Sequence, residues 1–367
     1  MKNTFGHSLC VTLFGESHGP LIGATLDGLA PGIPVDEKEI AAALEKRRPA
    51  DDLATARREP DPFQIVSGVY RGFTTGTPLT VLIPNVAQKS EDYGEVCDLP
   101  RPGHADYTAG IKYHGYEDPR GGGHFSGRLT AALVAAGAIV SAALRQKGIA
   151  IGTHIARLGG VSDRPFAEEK TALAADLSYL EKQTFCTLDE AAKAAMRESI
   201  RQAARDGDSV GGILETAVLG VPAGVGEPWF DTAEGVLSQI LFSVPGVKGV
   251  EFGAGFGIAD LRGSQANDAY RIREGAVVTA TNRNGGISGG ITNGMPLLFR
   301  CAVRPTPSIS KEQKTVSLKS GEETEIRVAG RHDPAIAPRA VAVVNAVCAL
   351  ALGDLLTQRF GTDWLKK

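Results

Sequence analysis

The chain has 367 residues, 43% of them apolar and 22% charged, with a formal net charge of -3 and a pI near 6.2. These values describe an ordinary globular chain, long enough for one large core, and they argue against a polybasic nucleic-acid surface. No charge-free apolar run reaches the roughly 18 residues of a membrane helix, MKNTFGHSLC holds no signal-peptide core, and the five cysteines show no metal-ligand spacing. A cytoplasmic protein with reduced thiols, no metal and no membrane or nucleic-acid partner is expected.

In chain order, Ser8 to Phe14 reads as a strand that ends in Gly15-Glu16-Ser17-His18-Gly19. A histidine among small residues just past a strand projects from the sheet edge and titrates near neutral pH. Leu21 to Leu29 reads as a second strand. Asp36 with Glu39 opens a helix that closes in Lys46-Arg47-Arg48-Pro49, where basic residues suit the helix dipole. Ala50 to Pro62 is polar and irregular and carries Arg57 and Arg58, which fits either a solvated lid or an anion clamp. Phe63 to Tyr70 and Leu79 to Ile83 read as strands, followed by a long loop from Pro84 to Pro100.

The stretch from Arg101 to Leu144 organises the chain. It joins arginines, three histidines and a triple glycine to the start of a long apolar helix, with Ser126 as N-cap and Leu129, Leu133, Gly137, Val140 and Leu144 at helical spacing. Gly121 to Gly123 leave backbone N–H groups uncovered where the helix offers its own unpaired donors, the makings of an anion site. Arg128 in the first turn opposes the helix dipole, so a negative ligand explains it better than helix stability does.

Ala150 to Leu158 reads as a strand, Asp163 to Phe185 as a charged segment without clear pattern, and Thr187 with Glu190 as the capping box of a helix to about Arg205. Ser209 to Val221 returns as a strand, and Asp231 with Glu234 opens another helix towards Ser243. Thr281 to Gly294 has no side chains for a core of its own and reads as a loop whose backbone is its function. Met295 to Val303 is a strand leading to Arg304-Pro305-Thr306-Pro307-Ser308, one cation and two hydroxyls on a stiff proline frame that suits a phosphate. The last helix runs from Arg339 to Gln358. Arg331, a polar turn and Arg339 repeat the layout of Arg120, the glycine turn and Arg128, a hint of two similar halves.

Taken together, Gly15-Glu16-Ser17-His18-Gly19, Arg57-Arg58-Glu59-Pro60-Asp61, Arg101-Pro102-Gly103-His104-Ala105-Asp106, Arg120-Gly121-Gly122-Gly123, Gly289-Gly290-Ile291 and Gly330-Arg331-His332-Asp333-Pro334 resemble the chorismate synthase family, in order from about Gly6 to Leu356. The resemblance implies a single α+β domain over residues 1–367, with helices sandwiched between two antiparallel sheets and a pseudo-twofold relation between halves. It implies loss of phosphate and a C6 proton from 5-enolpyruvylshikimate-3-phosphate to give chorismate, dependence on reduced FMN, and a homotetramer. The residues leave open whether NADPH or a separate reductase supplies the electrons.

By the same resemblance, His18 gives a proton to the departing phosphate, His104 stands next to the flavin ring, and Asp333 assists removal of the C6 proton. Ser17, Arg47, Arg48, Arg101, Arg128 and Arg331 match substrate-binding positions. His124, Phe125, Ser126, Pro245, Gly246, Gly289, Arg304, Pro305, Thr306, Pro307, Ser308 and Arg331 match flavin-binding ones. His124 stands where the family usually has arginine, Arg304 where it has lysine and Pro245 where it has asparagine. The alternatives are a flavin- or nucleotide-binding paralogue without catalysis, against which the retained His18, His104 and Asp333 speak, and an RNA-binding module, which 6% aromatic content does not favour.

Overall fold

The computed structural model describes residues 2–48, 61–86, 98–328 and 332–366. Two five-stranded antiparallel sheets carry the fold. The first is built from β1 (Thr4–Phe5), β2 (Cys10–Gly15), β3 (Leu21–Asp27), β4 (Gln64–Ser67) and β5 (Leu79–Pro84), in the order β1-β2-β3-β5-β4. The second holds β6 (Ala150–Leu158), β7 (Val161–Ser162), β8 (Gly212–Leu219), β9 (Val247–Phe252) and β10 (Leu297–Val303), in the order β9-β10-β8-β6-β7.

Strand pattern explains which face each sheet turns inward. In β5, Leu79, Val81 and Ile83 are buried while the residues between them are half-buried, and Leu297, Phe299, Cys301 and Val303 do the same in β10. That is the period-two alternation of a sheet with one packed face. Between the sheets lie α1 (Glu37–Arg47), α3 (Thr130–Gln146) and α7 (Ala337–Phe360), with α6 (Ala233–Ser243) beside α7. The short α2 (Asp106–Tyr113) lies outside this layer, and α4 (Lys170–Glu181) and α5 (Glu190–Arg205) pack on β6 and β7. Helix α3 packs on the first sheet and α7 on the second, and the two pack on each other.

Both central helices are apolar nearly all round, as a helix buried on every side must be. By length and hydropathy Gly127–Gln146 and Ala337–Phe360 could each cross a membrane, but 78% and 89% of their apolar windows are buried between the sheets. They are core helices. Their close approach depends on glycine. A Cβ at Gly137 would lie 2.5 Å from the Ala346 Cβ, and one at Gly353 would lie 2.7 Å from Val140 Cγ1.

The structure revises several local expectations. Segment 163–185 contains α4, started by the Glu169 carboxylate on the Ala172 N–H and held by an Arg164–Asp176 ion pair. Asp189, not Thr187, caps α5 by accepting from Ala192, and Thr232, not Asp231, caps α6 by accepting from Gly235. In each case the neighbouring acceptor is the one spaced to reach the third helical N–H. Within 281–294, Ile287–Ser288 pairs with Ile291–Thr292, so the stretch is partly a small hairpin. Asp36 caps α1 as expected.

One buried carboxylate sets where the chain begins to pair. Asp354, fully buried in α7, accepts from the backbone N–H groups of His7, Ser8 and Leu9 and from Gln358 Nε2. It thereby fixes the start of β2 against the central helix. Asp354→Ala would strand those donors inside the protein, and we expect a loss of roughly 3 kcal/mol or more in urea unfolding, with Asp354→Asn between the two. Unchanged unfolding of Asp354→Ala would show that the contact carries no stability.

Candidate active site

The site grows from the turn that precedes α3. Gly121, Gly122 and Gly123 all take positive φ, 58°, 79° and 51°, within a 3-10 turn spanning Arg120–Phe125. Only glycine adopts such a run cheaply, and here the turn must also pack on a histidine: a Cβ at Gly121 would lie 2.2 Å from His18 Cε1. The Ser17 N–H donates to the Gly123 carbonyl at 3.0 Å, and His124 Nδ1 lies 2.8 Å from the Gly15 carbonyl oxygen. The triple glycine is therefore a socket for the turn after β2. It holds Ser17 and His18 with 5% of each exposed.

The arginines come next. Arg47, Arg101 and Arg128 each face a carboxylate. Asp61, whose side chain is wholly buried, pairs with Arg128 Nη1 and lies 3.5 Å from Arg47 Nη1. Arg47, 3% exposed, also donates through Nε to Thr130 Oγ1 at 2.9 Å and through Nη2 to the Gly127 carbonyl at 3.0 Å. Arg128 further donates through Nε to Asn85 Oδ1 at 3.1 Å. Arg101 grips Asp106 with two bonds of 2.7 Å. Burial alone would raise the Asp106 carboxyl, yet the Arg101 hydrogen bonds hold it below the usual range.

His104 sits among these charges. Burial first, and then the Arg101 guanidinium, push its imidazole down to about 4 against the pull of Asp106, with Arg304 and His332 adding to the effect. It is neutral at pH 7, with Nε2 at 2.7 Å from Ser308 Oγ. Arg304 ties the same region together by donating Nη1 to the Gly103 carbonyl at 2.9 Å and its backbone N–H to the Gly246 carbonyl at 2.9 Å. At the start of α7, Arg339 Nη1 donates to Asp333 Oδ2 at 2.5 Å.

These groups meet around one cavity of about 950 Å³. From the resemblance-derived set, Arg47, Arg101, His104, Arg128 and Asp333 line it, as do Phe125, Ser126, Pro245, Gly246, Arg304, Thr306, Pro307 and Ser308. Ser17 and His18 stand directly behind Gly121, which lines the wall. Arg48, His124, Pro305 and Gly289 are not on the wall. Arg48 ends α1, His124 anchors the β2 turn and Gly289 lies in the hairpin turn after Ile287–Ser288. Arg331, Arg57 and Arg58 lie outside the described residues.

Asp61 and Asp106 stand inside the family-like motifs and Arg339 in the repeated layout, but the sequence assigns none of the three a partner. Composition could have pointed to them, since arginines buried in loops require carboxylates close by. On the Arg304–Ser308 frame, Thr306 Oγ1 is buried with no hydrogen-bond partner among the described residues. A polar atom left so beside a cavity is a place for a ligand.

The model of the chorismate synthase family matches residues 9–357. Chorismate synthases of Pyrococcus abyssi and Aeropyrum pernix are 48% and 46% identical over 96% and 98% of this chain, covering 97% and 93% of their own length. A solved structure described as a crystal structure of chorismate synthase has a TM-score of 0.77 at 29% identity, covering 97% of this chain and 94% of that one. With fold, motif order and relatives in agreement over nearly its whole length, the chain belongs to the chorismate synthase family.

Proposed function

We propose that this chain, a lyase of the shikimate pathway by its family, eliminates phosphate and the C6 proton from 5-enolpyruvylshikimate-3-phosphate to give chorismate, with reduced FMN held in the same cavity. The observation that carries the reading is the single cavity on which Arg101, His104, Arg128, Asp333 and the Arg304–Ser308 frame converge. At about 950 Å³ it lies at the upper end of the usual range for ligand pockets, roughly 300–1,000 Å³.

The residues present fit a phosphorylated, planar cofactor. Arg304 supplies charge, Thr306 Oγ1 a hydroxyl with no protein partner among the described residues, and Phe125 an exposed ring. When bound, reduced FMN supplies electron density to the breaking C–O bond and takes it back. The chain's own residues do the rest. Arg128 and Arg101 bind and orient the substrate's anions, and their carboxylate partners keep them in place before it arrives. His18, fixed against the glycine socket, gives a proton to the departing phosphate. Asp333 takes the C6 proton as that C–H electron pair moves into the ring and phosphate leaves with its C–O pair. Neutral His104 presents a hydrogen-bonding group rather than a cation.

A single-domain homotetramer in the cytoplasm completes the reading. Trp229, Phe230 and Phe256, each at least 85% exposed, support the assembly, because rings of that size on a surface call for cover.

Anaerobic incubation with photoreduced FMN should release one phosphate for each chorismate formed, and flavin binding without phosphate release would identify a non-catalytic paralogue instead. His18→Ala should lower turnover by roughly 10² to 10⁴ with substrate affinity largely kept; wild-type turnover would remove His18 from the chemistry.

Asp61→Asn removes the charge behind two buried guanidiniums. It should weaken substrate binding in calorimetry by roughly tenfold or more and cost about 3 kcal/mol in unfolding. Wild-type affinity and stability in that variant would mean that Asp61 does not organise the clamp.

The depressed pKa of His104 also sets a pH dependence. Above 6.5 the imidazole is neutral folded or unfolded; from 6.5 down to about 4 the unfolded chain takes a proton that the folded one refuses, so stability falls with pH across that window and levels off below it. His104→Gln, which keeps a hydrogen-bonding group towards Ser308, should flatten this part of the profile. A slope that persists unchanged would assign it to other groups.

A further inference from the structure

Arg339 is in the first turn of α7, where a cation opposes the helix dipole and gains the helix nothing. Its guanidinium instead joins two parts of the cavity wall. Nη1 donates to Asp333 Oδ2 at 2.5 Å, and Nε donates at 3.2 Å to the carbonyl of Arg47, the last residue of α1. That carbonyl belongs to the final turn of a helix, whose acceptors lack partners within the helix itself. One planar guanidinium thus reads the end of α1 and the carboxylate of Asp333 at once, a geometry that the point charge of lysine cannot reproduce.

We propose that Arg339 is a positioning residue for the reaction: it orients the Asp333 carboxylate relative to α1, and so to the Arg47–Asp61–Arg128 group. The proposal rests on the reading of Asp333 as the acceptor of the C6 proton. Burial supports a fixed geometry, since the side chain of Asp333 is 11% exposed and that of Arg339 is 23% exposed. Arg339 touches the substrate in no step of this account. Its loss should therefore appear in turnover and not in affinity.

The test compares Arg339→Ala, Arg339→Lys, Asp333→Asn and the Ala–Asn double variant with the wild type. We expect Arg339→Ala to lower kcat by roughly 10²-fold, with the dissociation constant for 5-enolpyruvylshikimate-3-phosphate, measured calorimetrically without flavin, changed by less than about threefold. Guanidinium ion at concentrations far below those that unfold the protein should restore part of the lost turnover, and Arg339→Lys should fall between wild type and Ala. In the double variant, Arg339→Ala should add little to the loss caused by Asp333→Asn, because the two residues act as one unit.

A large rise in the dissociation constant with kcat kept would make Arg339 a substrate ligand and overturn the proposal. A lowered melting temperature with no guanidinium rescue would reduce it to a structural residue. Full turnover in Arg339→Ala alongside a crippled Asp333→Asn would sink the positioning role alone. Full turnover in Asp333→Asn would sink the assignment of the base on which it stands.

Discussion

A guanidinium cannot be left alone inside a protein, and this constraint shapes everything around the cavity. Asp61 meets it for two arginines at once. Through Arg47 the carboxylate is tied to the end of α1, to Thr130 and to the Gly127 carbonyl; through Arg128 it is tied to Asn85 at the end of the first sheet. Helix α1, the start of α3 and the edge after β5 therefore share one ionic knot. This part of the cavity wall is held by internal partners, because Asp61 compensates both guanidiniums. Such a wall is preorganised, so little binding energy goes into arranging it.

Much of the fold was legible because burial writes a period into sequence. The alternation of Leu79, Val81 and Ile83 and of Leu297, Phe299, Cys301 and Val303 marks inward sheet faces, and the apolar run behind Ser126 marks a core helix. Caps were less legible, since several acceptors cluster at each helix start and only geometry selects among them. Thr187 and Asp189 are both acceptors near the start of α5, and Asp189 is the one that reaches Ala192. Helix α4 is not legible in the sequence because its apolar stripe is weak and its buried face includes Asp176, which depends on meeting Arg164 across a turn.

The site divides in the same way. Motifs identify residue types that chemistry requires, so His18, His104, Asp333 and the arginine loops were visible in the chain. Partnerships across the fold were not. Nothing in the spacing of Asp61 and Arg128, 67 positions apart, says that they form an ion pair, nor that His104 will find Ser308 at 204 positions' remove. The neutral state of His104 is likewise a product of assembly, because burial and cations brought from three different segments set it. An imidazole whose ordinary value is 6.5 is held down to about 4 here by its surroundings.

The two halves of the fold use one device to different ends. Each contributes a five-stranded sheet and a long apolar helix, and each helix opens beside an arginine paired with an aspartate: Arg128 with Asp61, Arg339 with Asp333. The difference lies in how much of each pair the fold turns to the cavity. In the first half the carboxylate is wholly buried and Arg128 lines the wall, so the pair presents an oriented cation suited to holding an anion. In the second half both partners line the wall, Asp333 with 11% and Arg339 with 23% of its side chain exposed. The same kind of ion pair thus builds the wall in two ways, once as a cation backed by a buried carboxylate and once as a cation and a carboxylate side by side.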